Sequence, residues 1–539
     1  MFKLIPETEI QKIQEKIKNT NDSVFITGEA GTGKSTLLRE MRIKIEKNVI
    51  VLAPTGIAAL NVNGQTIHSF FHLPLSAITS DRIKINRSNM DFYKCIDTLI
   101  IDEISMVRVD IIDGIDYALR KYRENEKPFG GVQMVFFGDL FQLSPIVANN
   151  ADVDYIKDTY NSPYFFDAKV FKKFDMAIFE LTKVYRQTNK DFIELLNRIR
   201  LNKANEADLT RLNDNNVIPK QDNDFIYLTA KKKTAEDINN AKMNAISGKK
   251  FMYSCETVGN FGDVMDDKDF IIPAPEKLEL KVSSKIMMLN NDINWVNGTR
   301  GTVVKLEDNV ITVQLDKKDY QVSPFTWKKM EYKYNPDSRK IEEKQVGAYT
   351  QFPIQLANAI TIHKSQGMTF DKVIVDIGTS AFATGQVYVA LSRCRTFENL
   401  LVNNPIKPSD IMVDPIIVDF FNQLRSIKSI DNDVMMKLKE EFVNELNEYL
   451  DIQIRVNYQG ARKVTRTFES AMFLAKYEGS KALSILFDLR RKNTIEYSIE
   501  ALCIKRKYIP LVLDVREVAL KKLKAVEVNF DNFQPENRP

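Results

Sequence analysis

The segment Gly28–Ser35 reads GEAGTGKS, follows the apolar run Val24–Thr27 and precedes a helical stretch over Thr36–Ile45. The pattern G-x-x-x-x-G-K-[ST] is typical of a phosphate-binding loop, in which glycines let successive backbone N–H groups converge on an anion. A strand before the loop and a helix after it place the phosphates at a helix N-terminus, where they are stabilised. The chain is therefore predicted to bind a nucleoside triphosphate.

Two residues of this loop have side chains suited to particular tasks. Lys34 is expected to reach the β- and γ-phosphates, and the Ser35 hydroxyl is expected to be a ligand of Mg²⁺. The loop residues predicted to contact the nucleotide are Gly28, Ala30, Gly31, Thr32, Gly33, Lys34, Ser35 and Thr36.

Three polar residues stand at the ends of apolar strands further along the chain. Asp102 and Glu103 follow the run Leu99–Ile101. Asp102 suits holding Mg²⁺, and Glu103 suits activating the attacking water. Gln142 follows the strand Gln133–Phe137, in the segment GDLFQ, where it can sense the γ-phosphate. Because ligands bind at the carboxyl ends of parallel strands, these side chains are expected to meet the loop.

Two arginines, Arg186 in KVYRQ and Arg393 in ALSRCR, lie beyond the first α/β segment. An arginine supplied across a cleft stabilises charge on the γ-phosphoryl group and makes hydrolysis depend on cleft closure. Both are predicted to be arginine fingers; for either one alone, a surface or salt-bridge role is the alternative.

Short apolar strands alternate with helical stretches in two parts of the chain, which predicts parallel sheets covered by helices. The first set is predicted at Val24–Thr27, Val49–Ala53, Thr98–Ile101, Gln133–Phe137 and Ala177–Leu181. The second set is predicted at Phe225–Leu228, Ile360–His363, Lys372–Asp376 and Leu400–Asn403. The predicted fold class is α/β, with two parallel-sheet domains.

The domain boundaries follow from changes in this pattern. The first α/β domain is expected over 1–180, with a small wedge insertion at about 73–94, and the second over 181–296 and 356–428. Residues 297–355 are rich in β-formers between turn signals and predict a small β-barrel insertion. A separate C-terminal α+β or β-barrel domain is expected over 429–539.

Composition excludes several classes of protein. The chain has 539 residues, too many for one core, and no apolar run approaches the ~20 residues of a membrane span. Its four cysteines are scattered without metal-binding spacing, which suits a reducing compartment. A cytoplasmic enzyme without a membrane anchor is expected.

The ordered motifs resemble those of superfamily 1 DNA helicases, and most of all the petite-integration-frequency (Pif) family, which is related to RecD-type enzymes. The resemblance covers about residues 1–425, with one departure, Ser144-Pro145 in place of the family's Pro-Pro. The motifs are GEAGTGKS, APTGIAALNVNGQTIHSFF, IIDEISMV, ALRKYRENEKPFGG, PFGGVQMVFFGDLFQLSP, LTKVYRQTNKDFIELLNRIR, AITIHKSQGMTFDKVIVDIG and VYVALSRCRTFENL.

This resemblance implies two RecA-like motor domains and an ATP-dependent helicase that moves 5′ to 3′ on single-stranded DNA. It implies that Gln11 reads adenine and that Gln366 and Gly367 touch the nucleotide. Single strands and forked duplexes are the implied partners, bound without sequence preference. A bacterial, nucleoid-associated monomer acting in DNA repair, recombination or replication is the implied setting. A translocase or remodelling ATPase without unwinding, and a nucleotide-gated DNA-binding switch, are the alternatives.

The DNA contacts are predicted from residue types, because small hydroxyls, backbone N–H groups and histidines bind phosphates without reading sequence. The predicted contacts are Pro54, Thr55, Gly56, His68, Ser69, Phe70, His363, Lys364 and Ser365. Phe70 and Phe71 are suited to stacking on bases, but both are apolar, and core packing is the alternative.

Basic residues are concentrated near the C-terminus, where residues 452–525 carry 16 Lys and Arg against 7 Asp and Glu. The segment weakly resembles the WYL-type small barrel attached to some bacterial Pif-type helicases. Nucleic-acid contacts are then implied for Arg455, Arg462, Arg466, Arg490 and Arg491. A purely stabilising domain with a solvated basic face is the alternative.

Deleting residues 451–539 is expected to spare ATP hydrolysis stimulated by short single strands, because every motor motif precedes residue 405. Binding to longer strands should weaken, and the log–log dependence of affinity on salt should flatten by about 0.7 for each phosphate that is no longer neutralised. Titrations of both proteins at several salt concentrations measure this slope. An unchanged slope would mean that the basic segment is only a solvated face. Replacing Arg490 and Arg491 together by Ala should reproduce part of the effect.

Overall fold

The computed structural model describes residues 2–5, 10–147, 150–174, 176–219, 222, 224–259, 272–335, 337–338 and 340–428. The chain divides into two compact units, Met1–Val418 and Asp419–Pro539. The predicted domain over 429–539, with all five of its arginine candidates, lies outside the described residues. Among the helices that are described, none combines the length and apolar character needed to cross a bilayer.

A parallel sheet of seven strands forms the first α/β half, residues 2–181. Its strands are β1 (Phe2–Ile5), β2 (Ser23–Gly28), β3 (Val49–Ala53), β4 (Gln65–Thr66), β5 (Thr98–Ile101), β6 (Gln133–Phe137) and β7 (Met176–Leu181). The spatial order is β1-β7-β2-β6-β5-β3-β4. Strands β2, β5 and β6 are buried along their whole length, as a sheet covered on both faces requires. The five strands predicted here are confirmed; β1 and β4, at the two edges, were not predicted.

The helices cover these sheets and carry the loops of the site. They are α1 (Ile10–Asn19), α2 (Lys34–Lys44), α3 (Gly56–Asn61), α4 (Ile67–Phe71), α5 (Met90–Lys94), α6 (Val109–Arg123), α7 (Asn150–Thr159), α8 (Lys190–Arg200), α9 (Glu206–Asn213), α10 (Lys232–Ala245), α11 (Gln386–Leu391) and α12 (Pro415–Lys428). Helix α8 shows why such segments fold as they do: Phe192, Leu195, Leu196 and Ile199 recur at helical spacing and are all buried.

The second part of the first unit contains both parallel and antiparallel strands. They are β8 (Ile226–Thr229), β9 (Phe251–Ser254), β10 (Glu256–Gly259), β11 (Lys277–Leu280), β12 (Lys285–Met288), β13 (Arg300–Leu306), β14 (Ile311–Leu315), β15 (Lys318–Val322), β16 (Phe325–Asn335), β17 (Lys340–Gln351), β18 (Ile354–Leu356), β19 (Ala359–Thr361), β20 (Val373–Asp376) and β21 (Leu400–Val402). Strands β8 and β19–β21 form a second parallel sheet, in the order β19-β8-β20-β21, which is the core of the second α/β half. The four strands predicted for this sheet are confirmed within a residue or two.

The insertion between β8 and β19 is larger than the sequence predicted. Strands β9–β18 form antiparallel sheets of five, three and two strands, so the antiparallel region begins at Phe251 and the predicted boundary at residue 297 is wrong. Strands β9–β12 have only four residues each, too few for an alternating pattern to distinguish them from loops.

The long hairpin β16–β17 of this insertion packs on the edge of the first sheet. The Tyr332 ring lies 6.1 Å from that of Phe70, and the Tyr332 hydroxyl accepts a hydrogen bond from the Val51 N–H at 3.2 Å. The Gln65 side chain donates to the Met330 carbonyl at 2.8 Å. The predicted wedge region, 73–94, contains two short 3₁₀ turns followed by α5, which packs on α6.

Candidate active site

A cavity of about 670 Å³ lies where the two α/β halves meet, and it collects most of the predicted nucleotide-site residues. The phosphate-binding loop forms one wall. Glu103 and Gln142 come from the neighbouring strand ends of the first half. The lining residues are Ala30, Gly31, Thr32, Gly33, Lys34, Ser35, Thr36, Arg39, Glu103, Gln142, Tyr185, Arg186, Thr188, Gly367, Thr369, Arg393, Arg395 and Thr396.

Glycines are needed in the loop because other backbone and side-chain atoms approach it closely. A Cβ on Gly28 would lie 2.4 Å from the Leu181 carbonyl oxygen, and a Cβ on Gly31 would lie 2.5 Å from that of Arg186. Gly31 and Gly33 also have positive φ angles of 84° and 87°. The loop leads directly into α2 at Lys34, so its backbone N–H groups and the helix N-terminus face the same cavity.

The Lys34 ammonium group is held over the loop by backbone carbonyls. It donates hydrogen bonds to the oxygens of Gly28 at 2.7 Å and Glu29 at 2.9 Å. Burial lowers the pKa of Lys34, and the carboxylates of Asp139 and Glu103 partly oppose that shift. A phosphate group entering the loop would replace these carbonyls with a charged partner, which binds an ammonium more strongly.

The Asp102 and Glu103 carboxylates lie side by side at the end of β5. Burial, together with repulsion from Glu103, raises the pKa of Asp102 to about 7. Burial also raises the pKa of Glu103. A divalent cation would relieve this repulsion. Ser35 and Glu103 line the cavity, and Asp102 directly precedes Glu103, so the oxygen ligands present fit Mg²⁺. No cluster of three or more His, Cys, Asp or Glu suited to a metal occurs within the described part of the chain.

Gln366, from the second half, contacts Glu103 directly: its amide donates to the Glu103 carboxylate at 3.1 Å. Gly367, the next residue, lines the cavity. The structure therefore brings Gln366 to Glu103 and Gly367 to the cavity, while their contact with a nucleotide stays a prediction. Gln11 lies in α1, and its side chain is outside what the structure describes.

The two predicted arginine fingers both reach the cavity. Arg186 donates to the Ser392 carbonyl at 3.1 Å, and Arg393 donates to the Val389 carbonyl at 3.0 Å. Burial and repulsion from Arg393 lower the pKa of Arg186, and burial lowers the pKa of Arg393. Backbone carbonyls thus hold both guanidinium groups at the cavity, and their role as arginine fingers stays a prediction.

A buried ion pair that the sequence analysis missed joins the two halves behind Gln142. Arg200, the last residue of α8, contacts the Asp139 carboxylate at 3.0 Å, and Gln142 donates to the same carboxylate at 3.2 Å. The Arg200 guanidinium also lies 4.3 Å from the centre of the Phe141 ring. Burial opposes ionisation of Asp139, but the Arg200 and Lys34 cations outweigh it and hold the pKa of Asp139 below its usual range.

A second missed contact reaches the phosphate-binding loop from α11. The Tyr388 hydroxyl accepts a hydrogen bond from the Ala30 N–H at 2.9 Å, and both residues are buried. Nearby, a Cβ on Gly385 would lie 2.3 Å from the Gln142 carbonyl oxygen. Helix α11 therefore packs tightly against both the loop and the GDLFQ segment.

The predicted DNA contacts lie on both halves. Thr55 caps α3 by accepting from the Ala58 N–H at 3.3 Å, with Pro54 before it and Gly56 after it. Ser69 and Lys364 are exposed, while His68 and His363 are half-buried. Two predictions need correction. Phe70 is 6% exposed and packs among Phe71, Phe92, Tyr93 and Tyr332, so it is a core residue.

The other correction concerns Ser365. It is fully buried, and its hydroxyl donates to the Ile362 carbonyl at 2.7 Å, so it stabilises its own turn and does not face a ligand. Sequence patterns identify the segment His363–Ser365 but not the direction in which each side chain points.

Comparisons with known proteins agree with this geometry. The model of the PIF1-like helicase family matches residues 7–210, and a second helicase model matches residues 339–423. The ATP-dependent DNA helicase Pif1 of Bdellovibrio bacteriovorus is 30% identical over 437 residues, which cover 79% of this chain and 94% of that protein. This chain belongs to the PIF1-like helicase family.

Two further comparisons extend the assignment. Human ATP-dependent DNA helicase PIF1 is 31% identical over 432 residues, covering 76% of this chain but 63% of the human protein. The crystal structure of Bacteroides sp. Pif1 in complex with ADP-AlF4 is 40% identical, with a TM-score of 0.71, covering 78% of this chain and 97% of that one. The present chain thus shares the Pif1 fold over 78% of its length. It spans less than two thirds of the human relative.

Replacing Asp139 by Asn is expected to leave the buried Arg200 charge without a carboxylate and to cost about 3–5 kcal/mol of unfolding free energy. The double variant Asp139→Leu/Arg200→Met removes both charges and should recover most of that loss. Glu307→Gln, in an exposed pair with Lys305, is the control and should change stability by less than about 1 kcal/mol. Urea unfolding of the four proteins measures these differences.

The stability of the Asp139→Asn variant should also depend on pH in a definite direction. The pKa of Asp139 is depressed in the folded protein. Its contribution to stability is therefore present at pH values above the unfolded pKa of about 3.9, and it is lost as the pH falls through the folded pKa. Asp139→Asn should therefore lose less stability than the wild type below about pH 4. Equal acid sensitivity of the two proteins would contradict the role of this pair.

Proposed function

We propose that this chain is an ATP-dependent DNA helicase that moves 5′ to 3′ along single-stranded DNA and unwinds duplexes. One observation carries the proposal: a single cavity is lined by the phosphate-binding loop and Glu103 of one α/β half and by Gly367 and Arg393 of the other. Binding of ATP between two halves draws them together, and hydrolysis lets them separate. Repeated closing and opening is the movement that a translocating motor needs.

The residues of the cavity suit hydrolysis of the γ-phosphate bond. Glu103 would accept a proton from the attacking water, and Lys34, Arg186 and Arg393 would stabilise the charge that develops on the transferred phosphoryl group. Ser35 and Asp102 would hold Mg²⁺, which neutralises charge on the phosphate oxygens when bound. Gln11 and Gln366 complete the proposed nucleotide contacts.

The proposed DNA track is connected to this chemistry through one short segment. His363 and Lys364 precede Gln366 by three and two residues, and Gln366 contacts the catalytic candidate Glu103. Thr55 and His68 provide the corresponding contacts from the first half. Because the track is divided between the two halves, a change in their separation moves one set of phosphate contacts relative to the other.

Relatives support DNA as the partner. Bacteroides Pif1 has been crystallised bound to ssDNA, and a further Pif1 structure concerns DNA unwinding at forked dsDNA by two coordinating Pif1 helicases. We propose the same substrates here, with one chain as the catalytic unit, since both halves of the nucleotide site come from a single chain. A role in bacterial DNA repair, recombination or replication remains part of this proposal.

Glu103→Gln is expected to keep ATP and DNA binding while lowering ATP turnover by about 10²-fold or more, because only the base that activates water is lost. Lys34→Ala should lose both hydrolysis and unwinding, since a phosphate contact and a transition-state charge are removed together. Steady-state ATPase assays with single-stranded DNA, beside unwinding of a forked duplex, measure both. Near wild-type hydrolysis by Glu103→Gln would contradict this assignment.

The unwinding assay also separates the alternatives. Fast DNA-stimulated hydrolysis without strand separation would indicate a translocase or remodelling ATPase. Slow hydrolysis with nucleotide-dependent DNA affinity would indicate a binding switch.

Arg186→Ala and Arg393→Ala are each expected to lower kcat for ATP hydrolysis by about 10³-fold, the scale of an arginine finger, with a modest change in ATP affinity. Exposed Arg87→Ala is the matched control and should leave both unchanged. Single-turnover hydrolysis and equilibrium binding of a fluorescent ATP analogue measure the two quantities separately. A variant that loses ATP binding but keeps its turnover would make that arginine a ground-state ligand.

A further inference from the structure

Phe382 is an exposed aromatic residue beside the proposed DNA track. It lies in the loop between β20 and α11 and is 58% exposed. Its ring faces that of His363, with the ring centroids 6.5 Å apart and the planes within 16° of parallel. An exposed phenylalanine next to a residue of the track is a candidate ligand contact that the motifs did not identify.

The loop that carries Phe382 is anchored on both sides of the ring. The buried Asp410 carboxylate accepts hydrogen bonds from the Ser380 hydroxyl at 2.9 Å and the Ala381 N–H at 3.0 Å. The Phe382 N–H itself donates to the buried Gln386 side chain at 3.1 Å. These bonds hold the backbone in place while the ring stays exposed, which is the arrangement of a preorganised contact.

The spacing of the two rings is larger than that of a closely packed pair. In the same protein, the nearly parallel rings of Tyr93 and Tyr122 have centroids 3.9 Å apart. Carbon atoms in contact lie about 3.5–4.0 Å apart, so a flat ring inserted between two others needs a gap of roughly 7 Å. The centroids of Phe382 and His363 are 6.5 Å apart, so the two rings do not overlap centre on centre as a closely packed pair does, and rotation of the exposed Phe382 ring can open a gap of roughly 7 Å.

We propose that Phe382 and His363 form a base clamp, in which one unpaired nucleobase of a single strand stacks between the two rings. The inference rests on the proposed function, because it assumes that a single strand follows His363 and Lys364. Every base has a π-face, so such a clamp binds without sequence preference. Burial lowers the pKa of His363, so the imidazole is neutral at neutral pH.

A base clamp adds something that phosphate contacts do not supply. Phosphate contacts weaken steeply as salt rises, whereas stacking does not release counterions. The clamp would therefore hold the strand on the second half at salt concentrations that weaken the phosphate contacts.

Phe382→Ala is expected to weaken binding of a short oligothymidylate by about 5- to 150-fold, the range found when an aromatic residue that stacks on a base is removed. The slope of log affinity against log salt should stay unchanged, since every phosphate contact remains. Phe382→Tyr should retain wild-type affinity, because its ring still stacks. Phe325→Ala removes another exposed aromatic residue, on β16, and serves as the control with unchanged affinity.

Abasic oligonucleotides test the stacking itself. For the wild type, moving a single abasic site along the oligonucleotide should reveal a position at which affinity falls by about the same factor. For Phe382→Ala, that abasic site should cause no further loss. An equal effect of Phe382→Ala on a fully abasic strand, or an unchanged affinity for oligothymidylate, would overturn the clamp. Failure of the wild type to bind any single strand would instead overturn the proposed function.

Discussion

The nucleotide cavity lies where the two α/β halves are in contact, and the buried pair of Asp139 and Arg200 joins them there. Asp139 follows β6 in the first half, while Arg200 ends α8, whose apolar face packs in the core of the second half. Both side chains are excluded from solvent. Because a charge left there without its partner is costly, neither side chain can be lost alone, and the pair fixes how Asp139 and Arg200 meet across the two halves.

This link also holds Gln142, which is predicted to sense the γ-phosphate. Gln142 donates a hydrogen bond to the Asp139 carboxylate, which Arg200 also contacts. The glutamine is therefore linked to the second half through buried groups. Tyr388 makes a parallel connection from α11 to the Ala30 N–H in the phosphate-binding loop. Two buried contacts therefore join the surroundings of the phosphate-binding loop to the second half, in addition to the direct contact between Gln366 and Glu103.

The sequence predicted those parts of the molecule in which neighbouring residues carry the signal. The phosphate-binding loop, the carboxylates after β5 and both parallel sheets follow from short local patterns. Arg200 could not be predicted in this way, because a basic residue in the last turn of a helix is ordinary, and its carboxylate partner stands 61 residues earlier. Asp139 does carry a recognisable signal, a carboxylate after a buried strand, but in that segment only Gln142 was predicted to act at the site.

Sequence patterns could not predict the direction in which a side chain points or the residues that it contacts. Phe70 and Ser365 stand in segments that carry function, yet their side chains turn into the core. Phe382 shows the opposite case, an apolar residue that the loop exposes. The burial of Phe70 and the exposure of Phe382 both depend on tertiary contacts. Phe70 packs in the aromatic cluster around Tyr93, and Asp410 holds the backbone next to Phe382.

The charges in the cavity suggest why closure should depend on the nucleotide. Arg186 and Arg393 repel each other, and burial removes the water that would otherwise screen them. Asp102 and Glu103 repel each other in the first half, so each half carries an unfavourable interaction of its own. On the proposed function, a bound triphosphate would offset the repulsion between the cations, and Mg²⁺ held by Ser35 and Asp102 would offset the repulsion between the carboxylates. Loss of the γ-phosphate would then remove part of this compensation and favour separation of the halves.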